Sequence, residues 1–289
     1  MSDKPNDLID RVTASFAGAG DERLREVMTA LVTHLHALVA EVRLTQEEWA
    51  TAIDFLTRTG QRCDAGRQEF VLLSDVLGVS MATVAVNEPE APGATASTVL
   101  GPFFVDGSPA FALGDDISGG AAGRPCHVSG TVRDTAGNPV PGARLEIWES
   151  DEDGFYDVQY EGGRVAGRGH LFADDEGGYR FWSVRPAPYP IPHDGPVGEL
   201  LRAAGRGPMR PAHIHFMVSA PGMRTLTTHI FVAGGDHLDE DAVFGVRDQL
   251  VTPFADEPPG PAPGGRTFDG PWSRVAFDIV LAPGTDPAG

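Results

Sequence analysis

The chain has 289 residues, and 41 acidic against 22 basic side chains leave a formal net charge of −19 at neutral pH. Nucleic acid is therefore not an expected partner, because its binding draws on Lys and Arg set against phosphates and the chain has no run of either. With 41% hydrophobic residues the chain is globular rather than disordered, its 36 glycines and 24 prolines announce many turns, and its two distant cysteines make neither a disulfide framework nor a CxxC metal motif.

The opening segment MSDKPNDLID lacks the basic start and apolar core of a signal peptide, and no stretch approaches the ~18 uninterrupted apolar residues of a membrane span. A cytoplasmic protein without a membrane partner is expected. Leu24, Val27, Met28, Leu31, Leu35 and Leu38 recur at spacings of three and four, the stripe of an amphipathic helix. A second helix is predicted from Thr45, where Glu48 completes a capping box, onward through Trp49, Ile53 and Phe55. A third is predicted through Phe70, Leu73, Leu77 and Met81. These stripes exceed what three helices can bury among themselves, so residues 1–88 are expected to form a helical domain that makes a homodimer.

Residues 89–125 turn to Pro, Gly, Ala and Ser, as in EPEAPGATAST and DISGGAAGRP, and read as an extended linker packed on the domain that follows. From residue 126 the hydrophobic period becomes two: HVSGTVRD, a turn at AGNPVPG, then RLEIWES, YRFWSV, HIHFMVSA, TLTTHIFV and RVAFDIVL, with a short helix around Val197 to Ala204. The expected fold class is α+β, a helical N-terminal unit followed by an antiparallel β-sandwich over residues 126–289.

Two histidines at i and i+2 on a strand point to one face, so His213 and His215 can meet one point. Such a pair either binds a metal or hydrogen-bonds within a core. No acid follows His215 before Asp236, and there is no HExxH, which leaves cupin-like and zinc-hydrolase patterns without their usual partners; a remote carboxylate stays open. Tyrosine is the other ligand type in view. Phenolate is a hard anion suited to a ferric ion, and coordination lowers a phenol pKa of roughly 10 far enough for deprotonation at neutral pH. Tyr156 lies in the polar loop ESDEDGFYD, and Tyr189 lies in RPAPYPIPHDG, where four prolines stiffen the backbone. Taken alone, each is an ordinary packing tyrosine.

The order Tyr156, Tyr189, His213, His215, embedded in LEIWESDEDGFYD, YRFWSVRPAPYPIPHDGPVG and RPAHIHFMVS, resembles the ferric-iron signature of the intradiol ring-cleavage dioxygenases. The helical N-terminus is similar to the linker domain of the family's catechol branch. Within that branch RLREVMTALVTHLHALVAEVRLTQEEW, FLTRTGQRCDAGRQEFVLLSDVLGVSM and THIFVAGGDHLDEDAVFGVRDQLV look most like the hydroxyquinol 1,2-dioxygenases. The resemblance implies one non-haem Fe(III) per chain on Tyr156, Tyr189, His213 and His215. Tyr189 is the implied ligand that yields to substrate and takes a proton, and Arg210 the residue that stabilises negative charge on the ring. It further implies a substrate slot lined by Leu72, Asp75, Val99, Gly101, Pro102, Phe103, Ile191, Pro192, Arg210, His229 and Val243. Asp75 is an acid on an otherwise apolar helix face, accounted for either by a hydrogen bond to a third substrate hydroxyl or by a place at the helix end or in solvent. The implied reaction is cleavage of hydroxyquinol (benzene-1,2,4-triol) by O2 between its adjacent hydroxylated carbons, giving 3-hydroxy-cis,cis-muconate and, by tautomerisation, maleylacetate. Relatives also dimerise through the helices and hold a phospholipid-like molecule there. Catechol or chlorocatechol 1,2-dioxygenase activity is the alternative on the same site, and a non-catalytic β-sandwich binding module the alternative of another class.

Overall fold

A computed structural model describes residues 5–64, 67–88 and 91–284; the first two positions of the expected linker, 89–90, lie outside them. Helix α1 spans Pro5–Ala14, α2 Glu22–Val42 and α3 Gln46–Gln61. Asp21 caps α2 by accepting from the Arg23 and Leu24 amides. The capping box before α3 forms as predicted, with the Thr45 amide donating to Glu48 Oε2 at 2.8 Å and the Glu48 amide to Thr45 Oγ1 at 3.2 Å. The third predicted helix is in fact two, α4 (Glu69–Val76) and α5 (Val79–Asn87), bent by 77°. Gly78 makes the break, since its φ of +72° lies in the left-handed region that only glycine enters freely. Compact packing divides the chain between Gln61 and Arg62. Helices α4 and α5 therefore share a unit with the sheets, whereas the sequence groups them with the helices before them. No single helix among the described residues is long and apolar enough to cross a membrane.

The second unit carries β1 (Pro125–Asp134), β2 (Arg144–Glu149), β3 (Arg168–Phe172), β4 (Gly178–Val184), β5 (Tyr189–Pro190), helix α6 (Pro196–Ala203), β6 (Met209–Arg210), β7 (His213–Ser219) and β8 (Leu226–Val232). The short strands β9 (Val251–Thr252), β10 (Ala255–Glu257), β11 (Gly260–Ala262) and β12 (Arg266–Phe268) precede β13 (Trp272–Ala276) and β14 (Ile279–Leu281). One sheet has the order β10-β13-β1-β14 with β4 also on β1, and the other β3-β2-β7-β8-β9. Val128, Phe181 and Val275 of the first share one buried cluster with Leu145, Ile147, Ile214, Phe216 and Ile230 of the second, so the sheets pack face to face as a sandwich.

The pairing is not antiparallel throughout, as the sequence suggests. Strand β1 runs parallel to both β13 and β14, and β8 parallel to β9. The stretch RVAFDIVL reads as one strand but is interrupted at Phe277–Asp278. There the Thr131 amide and hydroxyl both donate to Asp278 Oδ1 at 2.8 Å, and the Tyr179 hydroxyl donates to the Phe277 carbonyl at 2.6 Å. Gly130 faces this interruption because any Cβ would overlap the Phe277 carbonyl.

The segment from residue 91 is extended but well held. The Thr95 amide donates to the Val280 carbonyl at 3.0 Å, the Thr98 amide to that of Thr227 at 2.8 Å, and the Thr228 hydroxyl to that of Ala96 at 2.7 Å. It thereby lays residues 98–104 across the outer face of the β7/β8 sheet.

Candidate metal centre

Alternation along β7 positions the histidines. Ile214, Phe216 and Val218 point into the inter-sheet core, which turns His213 and His215 to the opposite face. That face is closed by a second buried cluster containing Leu72, Val99, Trp148, Tyr156, Tyr189, Ile191 and Val243. Trp148, opposite His215 in the pairing of β2 with β7, stacks on its ring at 4.6 Å and 17°.

Two loops bring the tyrosines over this face. After β2 the Asp151 carboxylate accepts from the Asp153 and Phe155 amides, and Gln159 Oε1 accepts from the Tyr156 amide at 2.8 Å, so Tyr156 is set on a closed turn. Phe103 stacks on its ring at 4.5 Å. Tyr189 lies on β5, which pairs with β6 so that Tyr189 stands opposite Arg210. The loops touch at Gly154, where a Cβ would come within 2.9 Å of Tyr189 Cβ.

The result is convergence of four atoms. The Tyr156 hydroxyl lies 3.0 Å from His215 Nε2, 3.4 Å from His213 Nε2 and 3.4 Å from the Tyr189 hydroxyl, and the two Nε2 atoms are 3.1 Å apart. Atoms bound about 2.0–2.1 Å from one ion sit about 3 Å from each other, so these spacings suit a shared cation. Proton accounting points the same way. His213 Nδ1 is 2.7 Å from the Pro211 carbonyl, which can only accept, so Nδ1 holds the proton and Nε2 a lone pair. His215 Nδ1 faces His229 Nε2 at 2.7 Å, and His229 Nδ1 faces the Thr98 hydroxyl at 2.9 Å. Donation along this chain from His215 toward Thr98 turns a second lone pair toward the first. Two lone pairs and two phenol oxygens converging at such distances suit a cation between them, and the residues present fit a ferric ion.

Electrostatics agree. All four side chains are buried. Burial, then the Arg210 guanidinium, pushes His213 down to about 3, and burial holds His215 and His229 well below their ordinary value, so all three are neutral at pH 7. Burial, then neighbouring Tyr189, pushes the Tyr156 phenol well up against the pull of Arg210, and a cation bound at the site would favour its ionised form.

Arg210 stands beside the four, its Nη1 3.1 Å from His213 Nε2 and 3.5 Å from the Tyr189 hydroxyl. Burial disfavours its charge, but Asp241 and then Tyr189 outweigh that and raise its pKa. Its Nε donates to Asp241 Oδ1 at 3.1 Å. Of the expected slot residues, Leu72, Val99, Ile191 and Val243 are buried in the cluster of the two tyrosines, and Phe103 packs on it. Gly101 approaches His215 so closely that a Cβ would lie 3.2 Å from its Cε1. Asp75 is buried on α4, where burial raises its pKa against the pull of Ser80 and Arg210. Pro192 is half-buried and Pro102 exposed. Expected at the slot, His229 instead stands behind His215, because the β7/β8 register pairs the two residues on one face. His213, His215 and His229 offer nitrogens within 4.8 Å of one another, but His229 meets the Nδ1 side of His215 and so cannot join the other ligands. Thr98 and Asp241 were not legible as functional residues: each acts through a partner more than thirty positions away.

Comparison with known proteins agrees with this geometry. The family model "Dioxygenase" matches residues 99–283, and "Catechol dioxygenase N terminus" matches residues 21–95. The chain is 61% identical over 281 residues to hydroxyquinol 1,2-dioxygenase of Nocardioides simplex, covering 97% of this chain and 96% of that one. It is 51% identical over 279 residues to 6-chlorohydroxyquinol 1,2-dioxygenase of Cupriavidus pinatubonensis, covering 96% and 97%. The crystal structure of hydroxyquinol 1,2-dioxygenase from Pseudomonas putida DLL-E4 superimposes with a TM-score of 0.91 at 41% identity, covering 97% of this chain and 99% of that chain. With a tyrosine-histidine cage on one face of a β-sandwich and both family segments in order, the chain belongs to the intradiol ring-cleavage dioxygenases, a non-haem iron family.

Proposed function

We propose that one Fe(III) per chain is held by Tyr156, Tyr189, His213 and His215, and that the enzyme uses O2 to cleave hydroxyquinol between its adjacent hydroxylated carbons, giving 3-hydroxy-cis,cis-muconate and hence maleylacetate. The observation that carries the reading is the convergence of four ligand atoms at 3.0–3.4 Å. Relatives named for hydroxyquinol cleavage, alike over nearly the whole chain, support the substrate.

When bound, ferric ion would supply the Lewis acidity that makes the substrate hydroxyls more acidic. The chain's own residues do the rest. Neutral His213 and His215 present lone pairs without competing protons. Tyr189, as phenolate, accepts a proton from a substrate hydroxyl at its oxygen. Arg210 Nη1, beside that oxygen, places fixed positive charge where negative charge grows on the ring. Leu72, Val99, Phe103, Ile191 and Val243 exclude water, and the buried Asp75 carboxyl meets the third hydroxyl. Purified enzyme is expected to hold about one iron per chain, to show a tyrosinate-to-iron visible band that shifts on anaerobic addition of hydroxyquinol, and to favour hydroxyquinol over catechol in kcat/KM. A preference for catechol would transfer the assignment to catechol 1,2-dioxygenase chemistry, and a folded protein without iron or oxygen uptake to a binding module.

The enzyme is further proposed to work as a homodimer through its N-terminal helices, with a phospholipid-like molecule on the same surface. Supporting this, Leu24, Leu31, Leu35 and Leu38 of α2 and Trp49, Ile53 and Leu56 of α3 are all exposed, apolar side chains that a second copy would cover. Light scattering at micromolar concentration is expected to give twice the chain mass; a monomer would refute the assembly.

A further inference from the structure

Two walls of the slot come from parts of the chain that nothing nearby in sequence ties together. Helix α4 carries Leu72 and Asp75. The 241–245 loop carries Val243 and, through Asp241, holds Arg210. Arg206, in the turn after α6, joins them. Its Nη1 donates to the Val76 carbonyl at 2.6 Å and its Nη2 to the Ala242 carbonyl at 3.0 Å, across 130 and 36 residues of sequence. Val76 ends α4 immediately after Asp75, where helix carbonyls lack intrahelical partners. Ala242 sits between Asp241 and Val243.

The same guanidinium lies over the Phe244 ring at 4.6 Å. Phe244 has a φ of +58°, uncommon for a bulky residue, and its ring covers Gly78 at the α4–α5 bend, where a Cβ would stand 3.5 Å from Phe244 Cδ2. The loop that carries it is braced from within, the Val243 and Gly245 amides donating to Asp241 at 3.3 and 2.8 Å. A planar fork that bridges two divergent carbonyls and presents a face to an aromatic ring is within reach of Arg and not of Lys.

We infer that Arg206 is a positioning residue for substrate choice: by clasping the end of α4 to the 241–245 loop it sets the separation between Asp75 and Arg210, and so decides whether a third hydroxyl on the ring is recognised. The inference rests on the function proposed above and deepens it. Catechol has no third hydroxyl, so its turnover depends on Arg210 and the iron ligands but not on where Asp75 stands.

The test is Arg206→Ala in the iron-loaded enzyme. Its kcat/KM for hydroxyquinol is expected to fall about tenfold, mainly through KM, while that for catechol changes less than about twofold. Iron content and the visible band should match the parent, and the anaerobic dissociation constant for hydroxyquinol, read from the band shift, should rise in step with KM. In an Asp75→Asn background Arg206→Ala should not move the hydroxyquinol-to-catechol ratio further. Arg206→Lys, which keeps the charge and stem, is expected to show a smaller change in the same direction and serves if the alanine variant does not fold. Equal losses on both substrates, or an unchanged ratio, would overturn the role of Arg206. A parent enzyme that cleaves neither substrate would instead overturn the underlying function.

Discussion

Tyr156→Phe is expected to bleach the visible band, to lower retained iron sharply after dialysis, and to reduce ring cleavage at least about a thousandfold, the scale of several kcal/mol of charge stabilisation supplied by a metal. The substitution is favourable as a test because it spares packing. The Phe103 stack and the surrounding cluster persist, and only the oxygen 3.0 Å from His215 Nε2 is removed. His215→Ala should match it in iron loss but also open a void under Trp148. Tyr160→Phe is the control: its hydroxyl donates to Asp151 at 2.6 Å, outside the cage, so the band should stay. A Tyr156→Phe protein with the parent's iron content and spectrum would remove Tyr156 from the ligand set.

Asp241→Ala is expected to destabilise the enzyme by about 3–5 kcal/mol, since it strands the guanidinium of Arg210 in a site where both partners are 2–3% exposed. That corresponds to a Tm lower by roughly 10 °C. The direction follows from the linkage. Burial alone would raise the Asp241 pKa, but Arg210 outweighs it and holds it low, so the carboxylate stays charged and paired at neutral pH. Arg210→Met with Asp241→Leu removes both charges, and calorimetry should find most of the stability restored. Turnover should not return, because the charge beside Tyr189 and His213 is gone. A double variant as unstable as Asp241→Ala would mean that shape rather than the uncompensated charge sets the cost.

The pairing of the histidines was legible because period two along HIHFMVSA places both on one face; Tyr156 and Tyr189 join them only through the resemblance to the intradiol family, since their loops alone read as sites of ordinary packing tyrosines. What escaped were features that depend on contacts distant in sequence. One amphipathic pattern spans α4 and α5, and the bend at Gly78 follows from a conformation that composition alone does not announce. RVAFDIVL alternates correctly on either side of Phe277–Asp278, yet its parallel pairing with β1 is decided by a strand about 150 residues earlier. The resemblance alone places His229 at the slot, and its position behind His215 follows from the β7/β8 register.

The contact between Thr98 and His229 carries a consequence for the order of assembly. It spans 131 residues and joins the segment before the sandwich to a strand late in it. Pairings of such separation close slowly compared with hairpins such as β7–β8. The hydrogen-bonded support behind His215 is therefore complete only once residues 91–104 have settled on a finished sheet. If the proposed ligand set holds iron, its capture is expected among the last events in maturation, at a rate that follows the docking of that segment rather than collapse of the core.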